Sequence, residues 1–412
     1  MHGTLNVGSP WVRKYMYEPF PGNYVWNLSV NIAICAGGLV GEMEVANSTV
    51  RAIATHGDDK GTEAFFQAWC EMADRLAELA GEDEAAGRRL SASEKYGRAC
   101  VYYMTAERMQ SRHYAPRWDP YRKMLKTFAK SVTLGGLNCE AVEIPYEKGS
   151  YPGLFVDAAT TRDAPAPCMV FCNGLDSVKE MIFRSGIAQD LAARGVSTLI
   201  IDHPGVGEAL RLRNLHARYD SEHWASAAVD YLETRSTVDS RRIGMMGWSL
   251  GGYYAPRAAA FEKRFALCVA WGANHFWGDL QKRRLAREGD RPVPHYWAHV
   301  MWVWGKRDID EFMSFATVVT LDGVVENITC PFLITHGAGD RQIPLEAAYR
   351  SRDQAVNSPK VELKIFTERE GGVEHVSADN MSNARNFIAD WIAETFAALR
   401  PAANEARRVL TG

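Results

Sequence analysis

The sequence predicts an α/β fold in which helices cover both faces of a mostly parallel β-sheet. Three observations carry this prediction. Short apolar runs recur after residue 137 and alternate with segments of helical periodicity, a pattern typical of parallel sheets. A Gly-x-Ser-x-Gly pentapeptide at residues 247–251 directly follows one of these runs. The first 136 residues look mainly helical, and we expect them to form a region that precedes the sheet and contributes to a cap over it.

Length and composition narrow the class of protein. The chain has 412 residues, of which 47% are hydrophobic and 24% are charged, so it is long enough for one large domain with an accessory region. The net charge of -3 argues against nucleic acid as the main partner. No run approaches the roughly 20 apolar residues of a membrane helix, and the N-terminus lacks a basic-then-apolar signal peptide. We therefore expect no membrane partner and a cytoplasmic location, where the eight scattered cysteines stay free thiols.

The helical region is divided by turn signals. Apolar residues recur at helical spacing over residues 62–80, and we expect Gly81 to end that helix. A second helix is predicted over residues 93–110. A third is predicted to begin at Asp119, which we expect to cap a helix whose first residue is Pro120.

The predicted sheet-forming core comprises residues 137–272 and 326–412, interrupted by a helical lid insertion at residues 273–325. The first two strands should flank a turn containing Gly149 and Gly153. A final amphipathic helix is predicted over residues 379–399. The predicted strands are residues 139–146, 154–158, 168–172, 196–201, 243–246, 265–270, 331–335 and 361–366.

The pentapeptide around Ser249 has the context of a nucleophile elbow. An apolar run at residues 243–246 precedes it, and a helix-compatible stretch at residues 253–261 follows. Strand, tight turn and helix are what such an elbow needs to present one hydroxyl at the top of a sheet. The five-residue pattern alone is weak, so its context and its partners must carry the assignment.

A serine nucleophile needs a histidine to take its proton and a carboxylate to orient that histidine. In elbow-type hydrolases the order along the chain is Ser, acid, His. Asp340 follows the strand predicted at 331–335, and His375 lies between the last strand and the last helix. Both should reach the same sheet edge as Ser249, which predicts a catalytic triad. Asp322 and Glu374 are weaker candidates for the acid.

An acyl-transfer site also needs backbone N–H groups that bind the oxyanion. One should come from Leu250, the residue after the nucleophile. The other should come from the loop after the strand at 168–172, and we favour Leu175.

Two further motifs do not support a cofactor. Residues 202–208 resemble a dinucleotide-binding glycine loop, but Leu210 stands where its third glycine would be. His295 and His299 lie four residues apart without the glutamate of a zinc-binding His-Glu-x-x-His motif. We therefore predict no cofactor and no metal.

Aromatic residues are concentrated in the predicted lid. Five of the twelve tryptophans lie between residues 271 and 304, together with Phe276 and Tyr296. Part of this set must pack the lid onto the core. A lid over a catalytic serine also lines the pocket, and aromatic walls suit a flat, bulky substrate.

The motifs at residues 173–180, 202–208 and 247–254, with Asp340 and His375, resemble the α/β-hydrolase superfamily. They are most similar to a subgroup with a helical N-terminal region, which includes 2,6-dihydroxypseudooxynicotine hydrolase and fungal hydrolases that shorten polyketide chains in pigment synthesis. The stretch at residues 271–279 is closer to the fungal type. The resemblance covers residues 137–400 well and the N-terminal helices loosely.

The resemblance implies hydrolysis of a carbon–carbon bond next to a carbonyl, in a polyketide-like or aromatic β-dicarbonyl substrate. It further implies an assisting carboxylate after the nucleophile strand, for which Asp279 is the nearest match and Glu288 an alternative. A homodimer is compatible with it. The candidate substrate-binding residues are Trp248, His275, Trp277, Asp279, Tyr296 and His299.

Two other functions remain open from the sequence. An esterase or lactonase acting on a bulky aromatic ester would use the same triad, because the chemistry diverges only at the leaving group. A non-catalytic hydrolase fold that binds a signalling ligand is the third hypothesis, and an intact triad argues against it.

Overall fold

The computed structural model describes residues 16–56, 62–158, 164–286 and 295–399. Helices fill the first part of the chain, where apolar side chains recur at helical spacing. The long α3 and α4 pack side by side, and α5 packs against α4. These helices are α1 (Tyr24–Cys35), α2 (Val40–Val50), α3 (Thr62–Ala85), α4 (Arg89–Arg108) and α5 (Trp118–Gly135).

A single eight-stranded sheet follows in the described residues, with strand order β1-β2-β4-β3-β5-β6-β7-β8. β1 and β2 form an antiparallel hairpin, β2 is antiparallel to β4, and the remaining pairs are parallel. The predicted mostly parallel α/β sheet is thereby confirmed. The strands are β1 (Glu140–Tyr146), β2 (Gly149–Val156), β3 (Ala166–Cys172), β4 (Ser197–Ile201), β5 (Val238–Trp248), β6 (Phe265–Trp271), β7 (Phe332–Gly337) and β8 (Val361–Phe366).

Connecting helices cover the sheet on both faces. Three of them, α11 to α13, lie between β6 and β7 within the segment predicted to be a lid. The helices after α5 are α6 (Lys179–Ser185), α7 (Ile187–Ala193), α8 (Gly207–Arg211), α9 (Glu222–Glu233), α10 (Gly251–Phe261), α11 (Trp277–Ala286), α12 (Tyr296–Val303), α13 (Ile309–Ala316), α14 (Glu346–Gln354) and α15 (Met381–Ala398).

Alternation along the central strands divides the interior into two cores. Met169 and Phe171 of β3 face one core, which contains the apolar sides of α1 to α7 and α15. Cys168 and Val170 face the other, which contains α9, α10 and the helices of the 273–325 segment. The N-terminal helices therefore share a continuous core with one face of the sheet.

Several predicted element boundaries were wrong. The first hairpin turns at Glu147, whose φ is 50°, and Gly149 and Gly153 lie within β2. Helix α3 continues through Gly81, because that glycine packs against α4 with Tyr96 Oη 3.7 Å from the position of a Cβ. Helix α5 begins at Trp118, one residue before the predicted cap. Local turn residues alone therefore do not fix these boundaries.

All eight cysteines are unpaired, and five of them are buried. No described helix combines the length and the apolar character needed to cross a membrane.

Candidate active site

Ser249 occupies the sharp turn between β5 and α10. Its φ of 57° is left-handed, a conformation that non-glycine residues rarely adopt outside constrained sites. The Ser249 N–H donates to the carbonyl of Trp271 at the end of β6, at 2.9 Å. The turn is thus tied to the neighbouring strand, and the strained backbone presents the hydroxyl above the sheet edge.

Glycines at two positions make this turn sterically possible. A Cβ on Gly247 would lie 2.5 Å from the carbonyl oxygen of Gly251, closer than real Cβ contacts. A Cβ on Gly174, in the loop after β3, would lie 2.9 Å from the Cβ of Ser249. The elbow and the loop after β3 therefore approach each other as closely as their backbones allow.

His375 lies between the hydroxyl of Ser249 and the carboxylate of Asp340. Its Nε2 is 2.8 Å from Ser249 Oγ, and its Nδ1 is 2.9 Å from Asp340 Oδ2. Because an ionised carboxylate only accepts hydrogen bonds, Nδ1 carries the proton and Nε2 is free to accept from the serine. The two strands that precede these residues, β7 and β8, pair in parallel, so their carboxyl ends bring Asp340 and His375 to one edge.

The Asp340 carboxylate is buried and fully engaged. Its Oδ1 accepts the backbone N–H groups of Gln342 at 2.7 Å and Ile343 at 3.0 Å. Burial acts to raise its pKa, but the adjacent His375, the nearby His336 and the Ile343 N–H outweigh burial and hold the pKa below its ordinary value. The group is therefore an anion at neutral pH and can orient the imidazole.

The two weaker candidates for the acid contact other partners. Asp322 accepts from Nε2 of His275 at 3.3 Å and also binds Arg350. Glu374 pairs with Arg341, its Oε1 lying 2.9 Å from the guanidinium. Neither carboxylate hydrogen-bonds to His375, so Asp340 is the one of the three candidate acids that contacts the imidazole.

The loop after β3 is held by a dense set of hydrogen bonds. The Ser177 hydroxyl donates to Oδ1 of Asn173 at 2.7 Å and accepts the Gly174 N–H at 2.9 Å and the Trp248 indole N–H at 3.0 Å. Leu175 and Leu250 both line the space in front of Ser249. Within the described part of the chain, the backbone N–H groups of these two leucines donate to no acceptor, so both remain available to an oxyanion.

A buried charged cluster anchors the other end of this loop. Asp202 accepts the backbone N–H of Lys179 at 2.8 Å, and the Lys179 ammonium lies 2.7 Å from Glu180 and also contacts Asp202 and Glu208. One lysine faces three carboxylates, so complete ionisation would leave excess negative charge in the interior. Burial raises the pKa of Glu180 to about 7 despite the ion pair with Lys179.

The pocket in front of Ser249 has an empty volume of about 730 Å³, counting the part open to solvent. Its walls come from the N-terminal helices, the loops at the sheet edge and the 273–325 segment. Most of the wall is apolar, and polar groups occur at a few positions. The lining residues are Leu28, Ile32, Arg108, Gly174, Leu175, Asp176, Ser177, Met181, Trp248, Ser249, Leu250, Asn274, Trp277, Arg284, Gln342, Ile343, His375, Val376 and Met381.

Sequence reasoning missed the charged pair in this wall. The Arg108 guanidinium of α4 binds the Asp176 carboxylate and also donates to Ser29 Oγ at 3.1 Å. Burial acts to raise the pKa of Asp176, but Arg108 and the nearby His299 lower it overall. Asp176 was visible in the loop motif, whereas nothing in the sequence pairs it with a residue 68 positions earlier.

The predicted substrate-binding residues separate into two groups. Trp248 and Trp277 line the pocket. Asp279, by contrast, has a side chain that is 66% exposed and lies 3.5 Å from Lys282, because the first turn of α11 presents it to solvent. Glu288, the alternative assisting carboxylate, lies outside the described residues.

The three remaining candidates do not line the pocket. His275 is buried between Ser351 and Asp322. The Tyr296 hydroxyl donates to Gln281 Oε1 and accepts from Arg284 Nη1 at 3.1 Å. The His299 Nε2–H donates to the carbonyl of Leu175 at 3.3 Å, so this histidine supports the loop after β3.

Most of the lid aromatics pack against one another. Trp304 lies 5.5 Å from Trp277 and 5.1 Å from Phe315 between ring centroids, and Trp302 lies 6.0 Å from Trp118 of α5. Such pairs bury large apolar areas. The expected aromatic wall is therefore limited to Trp248 and Trp277, while aliphatic side chains supply much of the remainder.

The 202–208 segment is a structural turn. Asp202 Oδ2 accepts the Glu208 N–H at 2.9 Å, and this carboxylate fills the space where Gly207 would carry a Cβ. Among the described residues, no group of three His, Cys, Asp or Glu side chains could hold a metal ion.

Two protein-family patterns match this chain. The prolyl oligopeptidase family pattern matches residues 185–398, and the FrsA-like esterase pattern matches residues 72–285, each just over half of the chain. The chain belongs to the α/β-hydrolases. The second match begins within α3 and ends within α11, so it covers part of the helical N-terminal region and the strands β1 to β6.

Several characterised hydrolases resemble this α/β-hydrolase over most of their length. Hydrolase LUC6 of Fusarium sp is 29% identical over 84% of this chain and 91% of the relative. The 2,6-dihydropseudooxynicotine hydrolase of Paenarthrobacter nicotinovorans is 26% identical over 81% and 85%. The 20-hydroxy-prefusarin hydrolase FUS2 of Gibberella moniliformis is 26% identical over 83% and 90%. The predicted resemblance is confirmed, and this chain is similar to enzymes named as hydrolases.

Solved structures agree on the fold. The crystal structure of the 2,6-dihydroxy-pseudo-oxynicotine hydrolase superposes with a TM-score of 0.72 at 24% identity, over 90% of this chain and 96% of that one. Wild-type AbyA5 superposes with a TM-score of 0.62 at 17% identity, over 90% and 99%. Both likenesses extend over the N-terminal helices as well as the sheet.

Proposed function

We propose that this α/β-hydrolase uses Ser249 to cleave a carbon–carbon bond next to a carbonyl in a polyketide-like or aromatic β-dicarbonyl substrate. The observation that carries the proposal is the hydrogen-bonded series Ser249–His375–Asp340. Leu175 and Leu250 line the pocket, and their backbone N–H groups donate to no described acceptor, which supports the proposal of an oxyanion hole. The named relatives that act on pseudooxynicotine and prefusarin derivatives support the substrate class.

The reaction would begin with attack of Ser249 Oγ on the ketone carbon while His375 Nε2 takes the hydroxyl proton. The N–H groups of Leu175 and Leu250 would bind the resulting oxyanion. When the tetrahedral intermediate collapses, the carbon–carbon bond breaks, its electron pair leaves as an enolate, and His375 returns the proton to carbon. Water, activated by the same imidazole, would then release the acyl group as an acid.

A carboxylesterase or lactonase is the second candidate, and the match to the FrsA-like esterase pattern favours it. The triad and oxyanion donors would act in the same way. Only the leaving group differs, because an alkoxide takes the proton on oxygen instead of carbon.

The test is to incubate the enzyme with a naphthopyrone-type polyketide and with a simple aryl ester. We expect an acid and a ketone from the polyketide, and no product from the Ser249→Ala variant. Turnover of the ester alone would leave the esterase as the correct function. A phosphonate probe that fails to label Ser249 would contradict both and favour a non-catalytic binding protein.

A further inference from the structure

The amide of Asn274 lies in the pocket wall without a partner. Its side chain is 97% buried (3% exposed), and its Oδ1 is sealed from solvent and makes no hydrogen bond. Its Nδ2 is not sealed in this way and donates to no described residue, so the N–H groups are the part of the amide that a molecule in the pocket can reach. A largely buried amide donor without a protein acceptor is found mostly where a ligand or water accepts from it.

Three other polar side chains of the wall already have partners within the protein. Arg284 donates to the Tyr296 hydroxyl at 3.1 Å and to the carbonyl of Gln342 at 2.9 Å. Arg108 binds Asp176, and Ser177 makes three hydrogen bonds. Asn274 therefore differs from these neighbours in having its whole hydrogen-bonding capacity unused.

Backbone contacts place Asn274 beside the nucleophile. The chain from Trp271 to Asn274 runs along the elbow, since the Ser249 N–H donates to Trp271 and the Asn274 N–H approaches the carbonyl of Gly252 at 3.5 Å. The same segment packs tightly against the start of α10, because a Cβ on Gly252 would lie 2.2 Å from the carbonyl oxygen of Gly272. A group bound by the Asn274 amide is thus held near the bond that Ser249 attacks.

We propose that Asn274 binds the second oxygen of a β-dicarbonyl substrate, a role that rests on the carbon–carbon hydrolysis proposed above. The amide N–H donates to the carbonyl two bonds beyond the attacked carbon. As the carbon–carbon bond breaks, the electron pair passes to the central carbon and is shared with this oxygen, so the hydrogen bond strengthens as charge develops. His375 then protonates the central carbon, which gives the neutral ketone.

Binding measurements test this without requiring turnover. Benzoylacetone is an aromatic β-diketone, and butyrophenone is its counterpart without the second carbonyl. In a Ser249→Ala background, we expect Asn274→Leu to weaken benzoylacetone binding about tenfold and butyrophenone binding no more than about twofold. Asn274→Asp keeps the size of the side chain and removes the donor. It should weaken benzoylacetone binding at least as strongly as Asn274→Leu does.

Turnover supplies the second readout. With Ser249 present, Asn274→Leu should lower the ratio of benzoylacetone cleavage to phenyl butyrate hydrolysis about tenfold. Asn47→Leu is the matched control, because Asn47 is a fully buried amide of α2, outside the pocket, whose Nδ2 is also unpaired. It should change thermal stability and leave the ratio unaltered.

The outcomes separate the two proposals. Unchanged benzoylacetone affinity, equal weakening of both ligands, or failure of the Ser249→Ala protein to bind benzoylacetone would overturn the role of Asn274. Asn274-dependent binding without cleavage by the wild-type enzyme would retain that role and refute carbon–carbon hydrolysis.

Discussion

At the scale of single residues, the site depends on how the two oxygens of Asp340 divide their partners. Asp340 uses one oxygen for two backbone N–H groups and the other for His375. This division fixes which way the carboxylate faces, and through it the tautomer of the imidazole. Because of this division, the Asp340→Asn variant tests whether Asp340 sets the tautomer of His375.

In Asp340→Asn, the amide oxygen should take over the two backbone N–H groups, which turns the NH₂ toward His375. The imidazole must then accept at Nδ1 and carry its proton on Nε2, so it cannot take the proton of Ser249. We expect kcat to fall roughly a thousandfold or more with unchanged circular dichroism. Asp322→Asn is the matched control beside His275 and should retain activity; the opposite pattern would identify Asp322 as the acid.

Arg108 neutralises the Asp176 carboxylate beside the proposed oxyanion donor Leu175. Arg108→Leu leaves the negative charge of Asp176 uncompensated. We expect kcat/KM to fall about tenfold or more, because a second negative charge nearby destabilises the oxyanion. Restoration of part of this loss by a second change, Asp176→Asn, would identify charge as the cause. Arg98→Leu, on the same helix but paired with Glu42, is the control.

The pH dependence of the Arg108→Leu variant has a definite sign. In the wild-type protein Arg108 helps to hold the Asp176 pKa below its ordinary value. Without Arg108, burial dominates and the pKa rises, so the carboxyl takes a proton as the pH falls toward mildly acidic values. The ratio of variant to wild-type kcat/KM should therefore increase from pH 8 to about pH 5, and a constant ratio would contradict the charge argument.

At the scale of elements, the loop after β3 is fixed at both ends. Ser177 ties it to the elbow, and Asp202 at the end of β4 holds the first residue of α6. The loop should consequently keep its shape before substrate arrives. The cluster around Lys179 makes this support depend on pH.

Glu180 is protonated more readily in the folded protein, where its pKa is about 7, than in the unfolded chain, where it is near 4.5. The folded state therefore binds more protons between these values, and this contribution to stability is present at low pH and lost as the pH rises through about 7. Glu180→Gln removes the titration. We expect the drop in Tm from pH 6 to pH 8 to be smaller in this variant than in wild type, whereas Glu346→Gln, an exposed position on α14, should match wild type.

At the scale of the whole molecule, the N-terminal helices are part of the site. Leu28 and Ile32 of α1 line the pocket. The guanidinium of Arg341 lies over the ring of Tyr24 on the same helix, 3.9 Å from the ring centroid. Arg341 in turn binds Glu374, the residue before His375. Helix α1 thus bounds the substrate space and contacts the loop that carries the imidazole.

Substitution in α1 should consequently change substrate selection. Ile32→Trp narrows the pocket from the α1 side, and we expect kcat/KM for a naphthyl ester to fall at least fivefold relative to an acetate ester of a small alcohol. Kinetics on the two esters give the ratio. Leu39→Trp, at a half-exposed position between α1 and α2, should leave it unchanged, and an unchanged ratio in Ile32→Trp would show that α1 does not limit substrate size.

The sequence predicted those features that depend on local order along the chain. Strand periodicity located all eight strands within a few residues, and the order Ser249, Asp340, His375 led to three side chains that the structure brings into contact. It could not predict Arg108 or Leu28, because no spacing rule connects an N-terminal helix face with a loop at the sheet edge. It also placed His275 and Tyr296 in the pocket, since composition cannot distinguish aromatic side chains that pack the lid from those that face a ligand.

The spread of the pocket along the chain has a consequence for biosynthesis. Leu28 and Met381 stand in the same wall although they lie near opposite ends of the sequence, and the proposed triad is complete only once His375 is present. A chain emerging from the ribosome therefore has the elbow of Ser249 long before it has a base to activate it or a closed space to hold a substrate. Ser249 therefore has no base beside it until the chain has been translated past His375.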